Sequence, residues 1–160
     1  MGAAISPFNA FMILQGIETL ALRMDRICEN ATKVAQFLKN HSKAEWVNYA
    51  GLSDHPDNGL VQKYMGGRAS GIINFGVKST DGDGKAAGAR FQDALKLVTR
   101  LVNIGDCKSL ACHPASTTHR QLSENELAKA GVSADMVRLS IGIEHIDDIL
   151  ADLDQALAAV

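Results

Sequence analysis

Between Pro7 and Asn40 the chain has no further proline and a single internal glycine, Gly16. Its apolar residues Phe8, Phe11, Leu14, Ile17, Leu20, Met24, Ile27, Ala31, Val34 and Leu38 are spaced three or four apart, which puts them on one face of a helix. Ser6 followed by Pro7 supplies a hydroxyl cap and a preset first turn. The spacing predicts a helix from Pro7 to about Asn40, roughly 50 Å long at 1.5 Å per residue. A domain of this size has a radius of gyration of about 15 Å. Such a helix protrudes, and Phe8, Phe11, Met12 and Leu14 require an apolar partner outside the domain this chain can build. The expectation is therefore a connecting helix over residues 1–40, a small α/β domain over residues 41–160, and a larger protein of which the chain is one part.

Beyond the helix, periods of two and of three to four alternate. "EWVNYAG" reads as a short strand and "HPDNGLVQKYM" as turn residues with a short helix. "SGIINFGVK" reads as a strand rich in β-branched residues. "TDGDGKAAGARFQDALKLV" turns and then becomes a helix, with Ala87, Phe91, Ala94, Leu95 and Val98 on its buried side. "RLVNIG" and "SLACHP" flank a turn at Gly105 and Asp106. "SENELAKAG" holds a capping box from Ser123 to Glu126, with Gly131 as the stop. "MVRLSIGI" is a further strand, and "EHIDDILADLDQALAAV" is a closing amphipathic helix. The fold class expected is α+β: a small, mostly antiparallel sheet covered by helices in an α/β sandwich, preceded by one long helix.

Composition limits the function. Hydrophobic residues make up 46% and charged ones 21%, the balance of a folded domain. A net charge of -2 offers no footprint for nucleic acid or an anionic membrane. Gln15, Glu18, Arg23 and Asp25 interrupt the apolar runs, so no segment reads as a bilayer span. No secretion signal is evident. Three cysteines, Cys28, Cys107 and Cys112, without CxxC spacing read as reduced thiols that pack as small buried hydrophobes, which suits the cytoplasm.

Two features carry chemistry. "CHPASTTH" (Cys112 to His119) gathers a thiol, two imidazoles and three hydroxyls. Its spacing fits no common zinc framework, Ser116 lacks a nucleophile elbow, and a hydrogen-bonded turn explains the hydroxyls. In "MVRLSIGI", Val137, Leu139, Ile141 and Ile143 alternate onto one face, and Met136, Arg138, Ser140 and Gly142 onto the other. A guanidinium in the middle of a strand calls for an anionic partner, and its planar fork suits a carboxylate. That carboxylate belongs either to this chain or to a substrate.

"GAAISPFNAF", "NIGDCKSLACHPASTTH" and "VRLSIGIEHIDDILADLDQAL" together resemble the C-terminal part of the Cys/Met-metabolism family of pyridoxal-phosphate enzymes, over nearly the whole chain. Asn103 and Thr117 are most similar to the O-acetylhomoserine sulfhydrylase branch. The resemblance implies the small C-terminal domain of a fold-type-I enzyme and a γ-replacement in which sulfide or a thiol displaces acetate, giving homocysteine or methionine. By the same resemblance Arg138 binds the α-carboxylate of the amino-acid substrate, Asn103 lies beside it, and Thr118 lines the same side. His113 and Pro114 shape the loop. The family's cofactor lysine belongs to a larger N-terminal domain. The resemblance thus implies no catalytic, cofactor-binding or metal residue in this chain, no pyridoxal phosphate bound to it, and no activity of the chain alone. Homo-oligomerisation is a further expectation. A γ-lyase, a cystathionine γ-synthase and a non-catalytic assembly module remain alternatives.

Overall fold

The structure, a computed structural model, describes residues 2–160. Helices α1 (Pro7–Glu18) and α2 (Leu20–Asn40) are followed by β1 (Ala44–Asn48), α3 (Asn58–Met65), β2 (Ile72–Val77) and α4 (Gly84–Ala94). Then come β3 (Thr99–Arg100), β4 (Leu110–Cys112), a 3-10 turn at Pro114–Ser116, α5 (Glu124–Lys129), β5 (Met136–Ser140) and α6 (Ile146–Ala158). The five strands form one sheet in the order β1-β2-β5-β4-β3. All pairings are antiparallel except β3 with β4, which is parallel.

The first helix is not continuous. It breaks at Thr19, where φ is -103° and ψ 3°. Gly16 weakens the ladder there, and the Arg23 guanidinium takes the Gly16 carbonyl while its Nε reaches Thr19 Oγ1 at 3.4 Å. A side chain inserted into the backbone ladder beside a glycine is a sufficient cause of a kink. The period of three to four persists through the break, which is why the sequence alone conceals it. No residue of α1 is buried. On α2 the buried face starts at Ile27 and continues through Ala31, Val34, Ala35 and Leu38.

One face of the sheet, with Ile73, Phe75, Val77, Ala111, Val137 and Leu139, packs under α2, α4 and α6. Phe75 meets Phe91 of α4 edge-on, centroids 5.4 Å apart. Ile149, Leu153, Ala156 and Leu157 of α6 complete this core. A smaller apolar group, Ala115, Leu127 and Val132, packs with Met136 beneath α5. The expected α+β sandwich is the fold observed.

Three further sequence expectations change. Alternation along β5 holds through Ile141, yet Ile143 is 38% exposed. It lies past the end of β5, with its N–H on the Cys107 carbonyl at 2.9 Å, so strand periodicity no longer governs it. Helix α4 stops at Ala94, and Val98 is buried from a loop instead. The buried carboxylate of Asp152 on α6 accepts from the amides of Lys96, Leu97 and Val98 at 2.9, 2.9 and 2.8 Å, which ends the helix and pins the approach to β3. Finally, Cys28 and Cys112 are buried, but Cys107 is exposed, because it sits in the loop that turns at Gly105, where φ is +77°.

Candidate functional site

Arg138 occupies the middle of β5 on the sheet face opposite the main core. Its cross-strand partners are Asn74 on β2 and Cys112 on β4, so the central strand presents a guanidinium between a carboxamide and a thiol. Arg138 is half-buried. Its Nη2 donates to the Asn103 backbone carbonyl at 3.3 Å. Among the described residues no carboxylate lies within ion-pair distance of it, so the same-chain salt bridge that the sequence left open is not formed. A guanidinium has five N–H donors in a fixed fork, and one of them has a protein acceptor here.

The structure brings Asn103 to Arg138 through its main chain. The Asn103 side chain is used locally: Oδ1 accepts from Ile104 N at 2.8 Å. Thr118 is exposed, and its hydroxyl pairs with His119 Nδ1 at 2.8 Å; it makes no hydrogen bond to Arg138 or Asn103. Thr117 reaches further toward the strand. Its Oγ1 donates to the His113 carbonyl at 2.8 Å and lies 3.4 Å from Cys112 Sγ, beside the strand position that pairs with Arg138. Sequence reasoning passed over Asn74 and Cys112 as neighbours of Arg138. Their strands were legible, but the strand order that makes them adjacent was not.

"CHPASTTH" is a packed corner. The His113 N–H donates to Gln92 Oε1 at 2.6 Å. Its Nε2–H donates to the Ala134 carbonyl at 2.8 Å, which leaves Nδ1 to accept from the Ser116 hydroxyl at 2.8 Å. Burial pushes the His113 pKa below the ordinary imidazole value, against the pull of the Ala134 carbonyl. A neutral ring with both nitrogens occupied has no lone pair for a metal. Gly88 of α4 makes room for that ring, since a Cβ there would collide with it. The "DGDGK" turn is likewise structural: Asp83 caps α4, accepting from Ala86 N at 2.9 Å.

A model of the family described as "Cys/Met metabolism PLP-dependent enzyme" matches residues 1–158. The chain belongs to this family.

Within the Cys/Met-metabolism family the chain is 53% identical over 158 residues to an O-acetyl-L-homoserine sulfhydrylase of Leptospira meyeri, covering 98% of the chain and 35% of the relative. It is 50% identical over 159 residues to the O-acetyl-L-homoserine sulfhydrylase of Corynebacterium glutamicum, covering 99% of the chain and 36% of that relative. It is also 46% identical over 159 residues to an L-methionine gamma-lyase of Pseudomonas deceptionensis, covering 99% and 39%. A crystal structure from Campylobacter jejuni, described as an O-acetylhomoserine (thiol)-lyase with a pyridoxyl-lysine monophosphate, superimposes with a TM-score of 0.86 at 45% identity, over 98% of this chain and 36% of that one. The chain thus spans little more than a third of the length of the proteins it matches.

Covalent attachment of pyridoxal phosphate needs an enclosed amine and a cradle of donors for the phosphate. Eight of the nine lysines are exposed, and the ninth, Lys43, donates to the Val160 carbonyl at 2.6 Å. Lys39, Lys78 and Lys85 border surface hollows, but beside Asp54, beside Glu45 and Asp135, and beside Asp81 and Asp83 respectively. Those carboxylates repel a phosphate. In this structure none of the lysines combines an enclosed, uncommitted amine with a surrounding of donors for a phosphate.

Proposed function

We propose that the chain is the substrate-carboxylate arm of a pyridoxal-phosphate-dependent O-acetylhomoserine sulfhydrylase of the cytoplasm, with the cofactor held by the rest of the enzyme. In that enzyme acetate on O-acetylhomoserine is replaced by sulfide or a thiol. Residues 1–40 link the arm to the cofactor domain. Arg138 grips the α-carboxylate through its planar fork, the Asn103 carbonyl steadies the guanidinium, and Thr118 borders the same side. The observation that carries the reading is Arg138 itself: a half-buried guanidinium at the centre of the sheet with one backbone acceptor and, among the described residues, no carboxylate within ion-pair distance. The identity to sulfhydrylases supports the branch.

Two measurements test this. Purified chain treated with pyridoxal phosphate and borohydride is expected to give no stoichiometric adduct on one lysine, and to make no homocysteine from O-acetylhomoserine and sulfide. A single defined adduct, or turnover, overturns the proposed division of labour. Second, this chain is substituted for the matching segment of the Leptospira meyeri sulfhydrylase. The chimera is expected to form homocysteine. Release of ammonia and a 2-oxo acid in place of homocysteine would favour a γ-lyase, the reading that the methionine gamma-lyase relative supports.

A further inference from the structure

The loop that carries Asn103 is held at its far end by a set of buried polar contacts. Ser109, directly before β4, is fully buried. Its N–H donates to Glu144 Oε1 at 2.6 Å, and its hydroxyl donates to Glu144 Oε2 at 2.9 Å while accepting from Gly142 N at 2.9 Å. The Cys107 carbonyl accepts from Ile143 N at 2.9 Å. From the other side Asn30, buried on α2, donates to the carbonyls of Gly142 and Glu144 at 3.1 and 3.0 Å. Among the described residues its own Oδ1 has no partner, and both donations of its Nδ2 go to this turn. A Cβ at Gly142 would stand 2.6 Å from both Lys108 C and Glu144 Oε2, so only glycine lets the two segments approach this closely. Among the described residues Glu144 has no cation beside it; its two oxygens are satisfied by one residue, Ser109.

This clasp joins the two halves of the Arg138–Asn103 contact. Arg138 lies on β5, four residues before Gly142, and Asn103 lies in the loop that ends at Ser109. Fixing Ser109 to Glu144 fixes the loop over the strand. We infer that Glu144 and Ser109 are positioning residues: they hold the loop where the Asn103 carbonyl meets Arg138 Nη2, and so keep the guanidinium in one orientation for an incoming carboxylate. The inference rests on the reading of Arg138 as the carboxylate-binding group. Neither residue touches the substrate carboxylate in this scheme. Their effect passes through the loop, as positioning effects do when geometry must be held before binding.

The test compares E144A, E144Q and S109A. Glutamine keeps an oxygen for Ser109 N–H and donates an amide hydrogen to the Ser109 hydroxyl, which gives up its own donation to residue 144, so both contacts remain with one of them reversed. Alanine at 144 removes both acceptors. S109A keeps the N–H contact and serves if E144A does not fold. Amide hydrogen exchange on the chain is expected to speed up about tenfold at Ile104, Lys108 and Ile143 in E144A, less in S109A, and little in E144Q, with Phe75 in β2 unchanged. In the chimera, E144A is expected to raise KM for O-acetylhomoserine about tenfold with kcat nearly constant, and E144Q to restore it. Unchanged loop exchange, or a rise shared equally by Phe75, overturns the inference; so does a loosened loop with native KM. R138A separates the two readings. If R138A leaves KM unaltered, the carboxylate reading has failed, and the exchange data still decide whether the clasp holds the loop.

Discussion

Arg138 should matter little for stability and much for binding, and the two effects can be measured separately. Among the described residues its guanidinium makes one hydrogen bond, 3.3 Å long, to the Asn103 carbonyl. A long, partly solvated bond of that kind contributes at most about 1 kcal/mol. Holding four other donors half out of water costs something of the same order. Arg138→Ala should therefore change unfolding free energy by less than about 1 kcal/mol. With a urea dependence of roughly 2 kcal/mol per molar, the midpoint shifts by no more than about 0.5 M. Binding is the opposite case. A bidentate grip on a carboxylate is two charge-assisted bonds of about 1.5 to 3 kcal/mol each. Discounted for partial exposure, its loss costs about 3 to 4 kcal/mol, or a KM for O-acetylhomoserine higher by roughly 10² to 10³. Arg138→Lys keeps the charge and loses the fork, so about half the effect in free energy remains. Urea titration of the chain and steady-state kinetics of the chimera give both numbers. A midpoint that falls by more than about 1 M would make Arg138 a structural residue, and an unchanged KM would place the carboxylate elsewhere; either result refutes the reasoning.

Asp152→Ala leaves three backbone amides, those of Lys96, Leu97 and Val98, without their acceptor; the expected loss is about 3 to 4 kcal/mol by urea titration. Asp152→Asn retains one oxygen for Leu97 and Val98 and should lose about half as much, so equal losses from the two variants would show that the hydrogen bonds are not the cause. His113 has a folded pKa below its unfolded value, so its neutral form stabilises the fold above the unfolded pKa of about 6.5 and that contribution is lost as pH falls toward the folded value. The urea midpoint should drop between about pH 7.5 and pH 5.5, and the part of the drop due to His113 should vanish in His113→Gln. Helix α1 leaves Phe8, Phe11, Met12 and Leu14 between 54% and 70% exposed. The isolated chain should self-associate with rising concentration in sedimentation velocity, and Phe8→Glu with Phe11→Glu should reduce that association; a chain that stays monomeric without the substitutions would refute this.

The sequence made local structure legible and left spatial order hidden, for a physical reason. Periodicity reports which side of an element is apolar. It located the β5 core face through Ile141, the α6 stripe, the Ser123–Glu126 capping box and the Gly131 stop. Each of these is decided within a few residues of chain. The break at Thr19 and the early end of α4 were not legible, because distant or lateral side chains cause them: Arg23 takes a freed carbonyl, and Asp152, more than fifty residues further on, supplies the acceptor for three amides. The candidate site divides in the same way. That Arg138 faces away from the core followed from a period of two, while its pairing with Asn74 and Cys112 followed from the order β2-β5-β4, which no local pattern encodes.

The same distinction separates the two histidine-rich and acidic features that invite functional readings. His113, Ser116 and Thr117 look reactive in a line of text, yet every polar atom of the imidazole is already committed, to Ser116 on one side and the Ala134 carbonyl on the other. Glu144 looks like an ordinary residue ahead of a helix, yet it ties the Asn103 loop to the turn after β5. In both cases the deciding quantity is how many donors and acceptors remain unmatched after folding. For His113 that number is zero, and a scaffold role follows. For Arg138 several donors have no acceptor among the described residues, and on a half-buried side chain they face partly to water. Under the proposed function a substrate carboxylate supplies the missing acceptor, and its two oxygens match the planar fork.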